Sequence, residues 1–325
     1  MKLTKYFAIT VLFAATPVFA DPLSLWNDTE TKTSIMEFVE GVTEEGGENF
    51  VPVPDRIAVF DNDGTLWSEK PFYFQGLYAI DRLQEMAKAD PSILTSDVLK
   101  AANKNDMKGM MAEGEKGLLE IVNISSTNIT VEAFKASSHE WLTTAKHPTT
   151  GLIFAEMTYS PMIQLLEYLR EEDFTTYIVS GGGIDFMRAI TQEAYGIPPA
   201  QVVGSLGKTH YEVKDGVPSM IKDGGITFVD DKDGKPVGID RFIGQRPIFA
   251  AGNSDGDLAM LEWVTSGEGP TFGFLVHHTD AKREFAYDRD SDVGKLSKGL
   301  DEAAAKGWVL VNMAKDWAEI WVGKL

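Results

Sequence analysis

Cysteine is absent from the 325 residues, which excludes thiol nucleophiles, Cys-ligated zinc and disulfide staples. A chain of this length can bury enough surface to be stable without cross-links. Basic residues are scarce, 30 Lys and Arg against 49 Asp and Glu, for a formal net charge of −19. That field disfavours a nucleic-acid partner, and an anionic ligand would have to be drawn in by a local positive site. Histidine is also sparse, five in all. The adjacent pair His277-His278 lacks partners at metal-site spacing and reads as a polar strand end, and His210 has no legible partner. No apolar run is long enough for a membrane span, and no internal repeat or low-complexity linker appears.

What is present begins with Lys2 and Lys5, the apolar run Tyr6 to Ala15, and small residues before Ala20. This is the pattern of a secretory signal over residues 1–20, with Asp21 the expected mature start. The expected product is exported, periplasmic or secreted, with no membrane insertion after cleavage and 28 basic against 49 acidic residues.

The stretch Ile57 to Trp67, IAVFDNDGTLW, joins four apolar residues to a polar cluster. The apolar run fits a buried parallel strand, so Asp61 and Asp63 are expected at a strand's carboxyl end, where open α/β sheets keep their sites. Residues two apart in near-extended backbone face the same side, so both carboxylates can address one ligand. One suits nucleophilic attack on phosphorus and the other proton transfer. A hard divalent cation, Mg²⁺ in particular, would relieve their repulsion. An Asx turn closing a strand is the plainer reading of the same residues.

The rest of the chain predicts a doubly wound, mostly parallel α/β core interrupted by helices. Apolar residues Ile35, Phe38, Val39 and Val42 recur at helical spacing before the flexible stretch Glu44 to Asn49. Helical periodicity then runs over residues 70–150, too long for a simple crossover, with Thr130 as an N-cap. The expected division is core 21–69, helical cap 70–150 and core 151–325, with a β-hairpin near 205–234 marked by Asp-Gly turns. Ser160-Pro161 opens a helix whose Met162, Leu165, Leu166 and Leu169 form a core-facing stripe. A strand at Thr175 to Val179 delivers Ser180-Gly-Gly-Gly183, followed by a helix from Ile184 toward Tyr195 whose N-terminus can face an anion. Lys235-Pro236 starts another helix. The strand Pro247 to Ala251 leads to Gly252-Asn253-Ser254-Asp255-Gly256-Asp257, another strand covers Thr271 to Val276, and a last helix is expected to hold Trp317, Ile320 and Trp321.

Four of these segments, in order, resemble the motifs of the haloacid dehalogenase (HAD) superfamily: Asp61-Asn-Asp63-Gly-Thr65, the strand ending at Ser180, Lys235 before its helix, and Asn253 to Asp257 in place of Gly-Asp-x-x-x-Asp. The inserted helices match in position the cap of phosphoserine phosphatase-like members. The resemblance implies a Mg²⁺-dependent phosphomonoester hydrolase acting on a small phosphate ester. Asp61 would be the nucleophile and Asp63 the acid and base. Ser180, Gly181 and Lys235, with Lys208 in reserve, would bind phosphate. Asp61, the Asp63 carbonyl, Asn253 and Asp257 would serve the metal, with Asp255 a carboxylate nearby. Asn253 departs from the pattern by bringing no charge. The aromatic residues Trp67, Phe72, Tyr73 and Phe74 are either cap packing or a wall for a cationic headgroup, similar to the secreted phosphorylcholine phosphatases. A dehalogenase and a non-catalytic phosphate-ester binding protein remain as alternatives.

Overall fold

The computed structural model describes residues 21–321, so the expected leader, residues 1–20, lies outside the described residues. Eight strands form one sheet: β1 (Ile57–Phe60), β2 (Ile129–Thr130), β3 (Thr175–Gly183), β4 (Val202–Lys214), β5 (Val217–Phe228), β6 (Phe249–Gly252), β7 (Phe272–His277) and β8 (Val309–Asn312), in the order β2-β5-β4-β3-β1-β6-β7-β8. Along the run β4-β3-β1-β6-β7-β8 the pairing is parallel, with Val59 beside Tyr177 on one side and Ala250 on the other. The β4-β5 hairpin and the short β2 are antiparallel extensions.

The sheet is covered on both faces, which is why its central strands are apolar without interruption. Side chains alternate between faces along each strand. Ala58, Phe60, Ile178, Phe249, Ala251 and Phe274 join one cluster, with Ile35 of helix Glu30–Thr43 and Leu165 of helix Ser160–Glu171. Val59, Val179, Ala250 and Leu275 join the opposite cluster, with Ile239 of helix Gly234–Phe242 and Leu261 of helix Leu258–Thr265. The stripe Met162, Leu165, Leu166 and Leu169 is fully buried.

Between β1 and β3 lie helices Phe74–Ala89, Asp97–Asn103, Met107–Met111, Glu115–Ser125 and Val131–Thr144. Their side chains make a third cluster, among them Ile80, Leu83, Leu99 and Ile121. Thr130 caps the last of them, its Oγ1 accepting the Ala133 N–H at 3.0 Å.

Two helices differ from expectation. The segment after β3 breaks at Ile190, whose φ of −134° leaves the helical region, into Ile184–Met187 and Thr191–Tyr195. A single turn sums few peptide dipoles, so little field reaches an anion from it. At the C-terminus the helix spans only Met313–Asp316. Trp317 is extended and packs edge-on against Trp26, while Tyr159 bridges to Trp321. Tertiary stacking of the indoles overrides the helical spacing there.

Candidate active site

The carboxyl ends of β3, β1 and β6, three neighbours in the sheet, carry Ser180, Asp61 and Asn253. The strand order turns at β1, since β3 and β4 lie to one side and β6 to β8 to the other. Such a switch point opens a crevice in doubly wound sheets.

Asp61 is buried, and its Oδ1 accepts a hydrogen bond from Lys235 Nζ at 2.6 Å. The same ammonium donates to Asp257 Oδ1 at 2.6 Å and to the Val179 carbonyl at 3.0 Å. Burial would deprotonate Lys235, but the flanking Asp257 and Asp61 charges hold it protonated above the usual lysine range. Burial pushes the Asp61 carboxyl up, with Lys235 pulling it down and Asp257 and Asp63 pushing it further up. Lys208 is exposed on β4, so of the two candidate lysines it is Lys235 that meets the carboxylates.

Asp63 accepts the Trp67 indole N–H on Oδ1 at 2.8 Å. Burial lifts its carboxyl to about 6, against the pull of that hydrogen bond and of Lys235. A side chain built on Gly182 would come within 3.6 Å of Asp63 Oδ2 and 3.5 Å of Ser180 Oγ. Ser180 Oγ itself accepts the Gly182 N–H at 3.2 Å. Asp61, Asp63, Ser180, Gly181, Lys235 and Asp257 line one cavity of about 510 Å³.

Asn253 sits beneath that cavity. Its Nδ2 donates to Glu69 Oε1 at 2.7 Å and its Oδ1 accepts from Thr65 Oγ1 at 3.2 Å. Gly64, at φ +75°, permits this approach, because a Cβ there would lie 2.1 Å from Asn253 Nδ2. Asp257 has both oxygens engaged: Oδ1 takes Lys235, while Oδ2 accepts the N–H groups of Asn253 and Ser254 at 2.9 and 3.0 Å. The Asp255 carboxylate is committed to other groups, accepting the N–H groups of Ser297, Lys298 and Gly299 at the start of helix Lys298–Lys306.

Glu69 is the acid that sequence reasoning missed. It is 2 % exposed, lines the cavity, and accepts from Tyr287 Oη at 2.8 Å as well as from Asn253. Burial drives its carboxyl well up, opposed by the Tyr287 bond and reinforced by Asp63 and Asp61. Its one sequence signal is an acid between Ser68 and Lys70 in a segment that also holds Trp67 and Phe72. Asp230 was also missed; it is fully buried, and burial lifts its carboxyl to about 7. The aromatic segment divides: Trp67 and Phe74 pack in the core at 5.0 Å from each other, whereas Phe72 and Tyr73 reach the cavity.

Among the described residues, no three His, Cys, Asp or Glu side chains form a metal cluster. A cation here would therefore draw on amide and main-chain oxygens as well as Asp61, for which the Asp63 carbonyl and Asn253 Oδ1 are the candidates named by the sequence. The oxygen-only donor set suits Mg²⁺. The charge balance does too, because Asp61 and Asp257 share the Lys235 ammonium while Asp63 and Glu69 add carboxylates close by.

A sequence profile of haloacid dehalogenase-like hydrolases matches residues 58–262. Comparison with curated proteins finds no match. Among solved structures, the chain is similar to a conserved functionally unknown protein from Anaerococcus prevotii DSM 20548, at 15% identity over 81% of this chain and 89% of that one, with a TM-score of 0.53. A protein with unknown function from Bordetella pertussis Tohama I is 18% identical over 79% and 98%, with a TM-score of 0.47. A phosphoserine phosphohydrolase-like protein from Francisella tularensis subsp. tularensis SCHU S4 is 17% identical over 77% and 98%, with a TM-score of 0.39. The first of these, at 15% identity, speaks to fold alone. The profile match covers more than half of the chain and spans every residue from Asp61 to Asp257, and on it the chain belongs to the haloacid dehalogenase-like hydrolase family.

Proposed function

We propose that this hydrolase is a phosphomonoesterase working through an aspartyl-phosphate on Asp61. The observation that carries the reading is geometric: two buried carboxylates, Asp61 fixed to Lys235 through one oxygen and Asp63 fixed by the Trp67 indole N–H, line the same cavity as Ser180. The Asp61 oxygen not taken by Lys235 attacks phosphorus and forms the P–O bond. As the bond to the leaving oxygen breaks, Asp63 donates its proton to the departing alcohol. Asp63 then takes a proton from water, whose oxygen attacks phosphorus and frees Asp61 with inorganic phosphate. Lys235 and the N–H groups around Ser180 and Gly181 face the charge that accumulates on the transferring phosphoryl oxygens.

Mg²⁺ bound by Asp61, the Asp63 carbonyl and Asn253 would neutralise negative charge at the phosphoryl group. The helices between residues 74 and 144 act in this reading as a cap that excludes water from the cavity. The dehalogenase alternative has no use for an acid held like Asp63.

The test is hydrolysis of a phosphomonoester panel with Mg²⁺ and with EDTA. Asp61→Asn is expected to lower kcat by roughly a thousandfold or more with circular dichroism unchanged. Full activity in that variant, or no release of phosphate by the wild type, defeats the reading.

A further inference from the structure

We propose that the group carried by the substrate phosphate, and released as the alcohol, is apolar: an aliphatic or aromatic hydrocarbon received by the wall that faces Asp61. This rests on the phosphomonoesterase reading of the same site. The cavity has a polar floor made by Asp61, Asp63, Ser180 and Lys235, and a volume of about 510 Å³, much more than a phosphate group fills. Above that floor the helix Glu115–Ser125 contributes Leu118, Leu119 and Val122, helix Val131–Thr144 contributes Phe134, and β5 contributes Ile226.

Leu119 and Ile226 are only partly buried, line the cavity, and belong to none of the three packed hydrophobic clusters. The core does not use them, so their apolar surface is open to a ligand in the cavity. Polar groups in the same wall are in part committed to the protein itself. Gln75 Oε1 accepts the Gly183 N–H at 2.7 Å, and Lys222 is paired with Asp185 at 2.5 Å with its ammonium 4.7 Å above the Phe134 ring. Against Leu118, Leu119, Val122, Phe134 and Ile226 a hydroxylated leaving group would lose its water without gaining partners, whereas a hydrocarbon loses nothing. The remaining charged lining residues include Asp231 and Asp292 as well as Lys232 and Lys295, which leaves no surplus of positive charge for a second anionic group.

The experiment is calorimetric titration of the whole chain, with Mg²⁺ present, by n-alkylphosphonates from ethyl to octyl, whose P–C bond is not cleaved. The Kd is expected to fall about threefold to fourfold per added methylene until the cavity is filled. Leu119→Asn and Ile226→Asn should flatten that dependence while leaving ethylphosphonate binding and the circular dichroism spectrum unchanged. A Kd independent of chain length overturns the proposal. So does an equally long polyhydroxylated phosphonate binding as well as the alkyl one, or no binding by any phosphonate. Turnover of the matching alkyl phosphates separates the two readings. Chain-length-dependent binding without turnover keeps the apolar pocket and rejects the phosphatase, and turnover with flat binding does the reverse.

Discussion

One buried ammonium, Lys235, faces the carboxylates of Asp61 and Asp257 at 2.6 Å each, with all three side chains nearly inaccessible to water. Removing it would strand two acids in a low-dielectric interior. Lys235→Met is therefore expected to destabilise the fold by ~3–5 kcal/mol, read from urea unfolding, and a loss near zero would show that the acids are relieved by some other group. Glu69 places a carboxylate against the amide that stands where the family pattern has an acid. Glu69→Gln keeps the size and removes the charge, so the Mg²⁺ Kd is expected to rise by roughly tenfold, the scale of a residue that orients a metal ligand. Calorimetry measures it, and an unchanged Kd would exclude Glu69 from that part.

At the scale of elements, the site is assembled by three adjacent strands ending together, and the loop after β6 does two jobs at once. Asp257 meets Lys235 beside Asp61 and Asn253 meets Glu69, while the Asp255 carboxylate satisfies three N–H groups at the start of helix Lys298–Lys306. A helix N-terminus has no intrahelical partners for those groups, and a carboxylate there is worth about 1 kcal/mol. Asp255→Ala should accordingly lower unfolding free energy by that amount and leave Mg²⁺ affinity untouched. A tenfold loss of affinity in this variant would return Asp255 to the metal site.

Across the whole molecule, Glu284 ties distant segments together, accepting from Ser68 Oγ at 2.7 Å and Tyr159 Oη at 3.0 Å with His278 Nδ1 at 3.4 Å, while His278 Nε2 lies 2.8 Å from the Gly64 carbonyl. Burial alone would raise the Glu284 carboxyl, but His278, the Phe285 N–H and Ser68 outweigh it and hold the group below its ordinary value. A carboxyl with a depressed folded value binds fewer protons folded than unfolded, so its stabilisation is complete above the ordinary glutamate range and fades as pH falls through the depressed value. Urea unfolding from pH 7 down to pH 3 should show this acid limb, and Glu284→Gln should flatten it.

The sequence by itself determined the parts whose signal is local. A four-residue apolar run before Asp61, the paired turn residues of the hairpin, the 162–169 stripe and the lysine before Pro236 each depend on neighbours a few residues away, and the period of side chains along strand or helix makes them legible. Only the tertiary structure decided where the loose ends pointed. Glu69 reached Asn253 across 184 residues, Asp255 bonded to a helix start 42 residues on, and the indole of Trp317 met Trp26 instead of continuing a helix. Contacts between remote segments leave no periodicity in the chain, because they are set by which surfaces the sheet brings together and by which buried polar atoms must find a partner there.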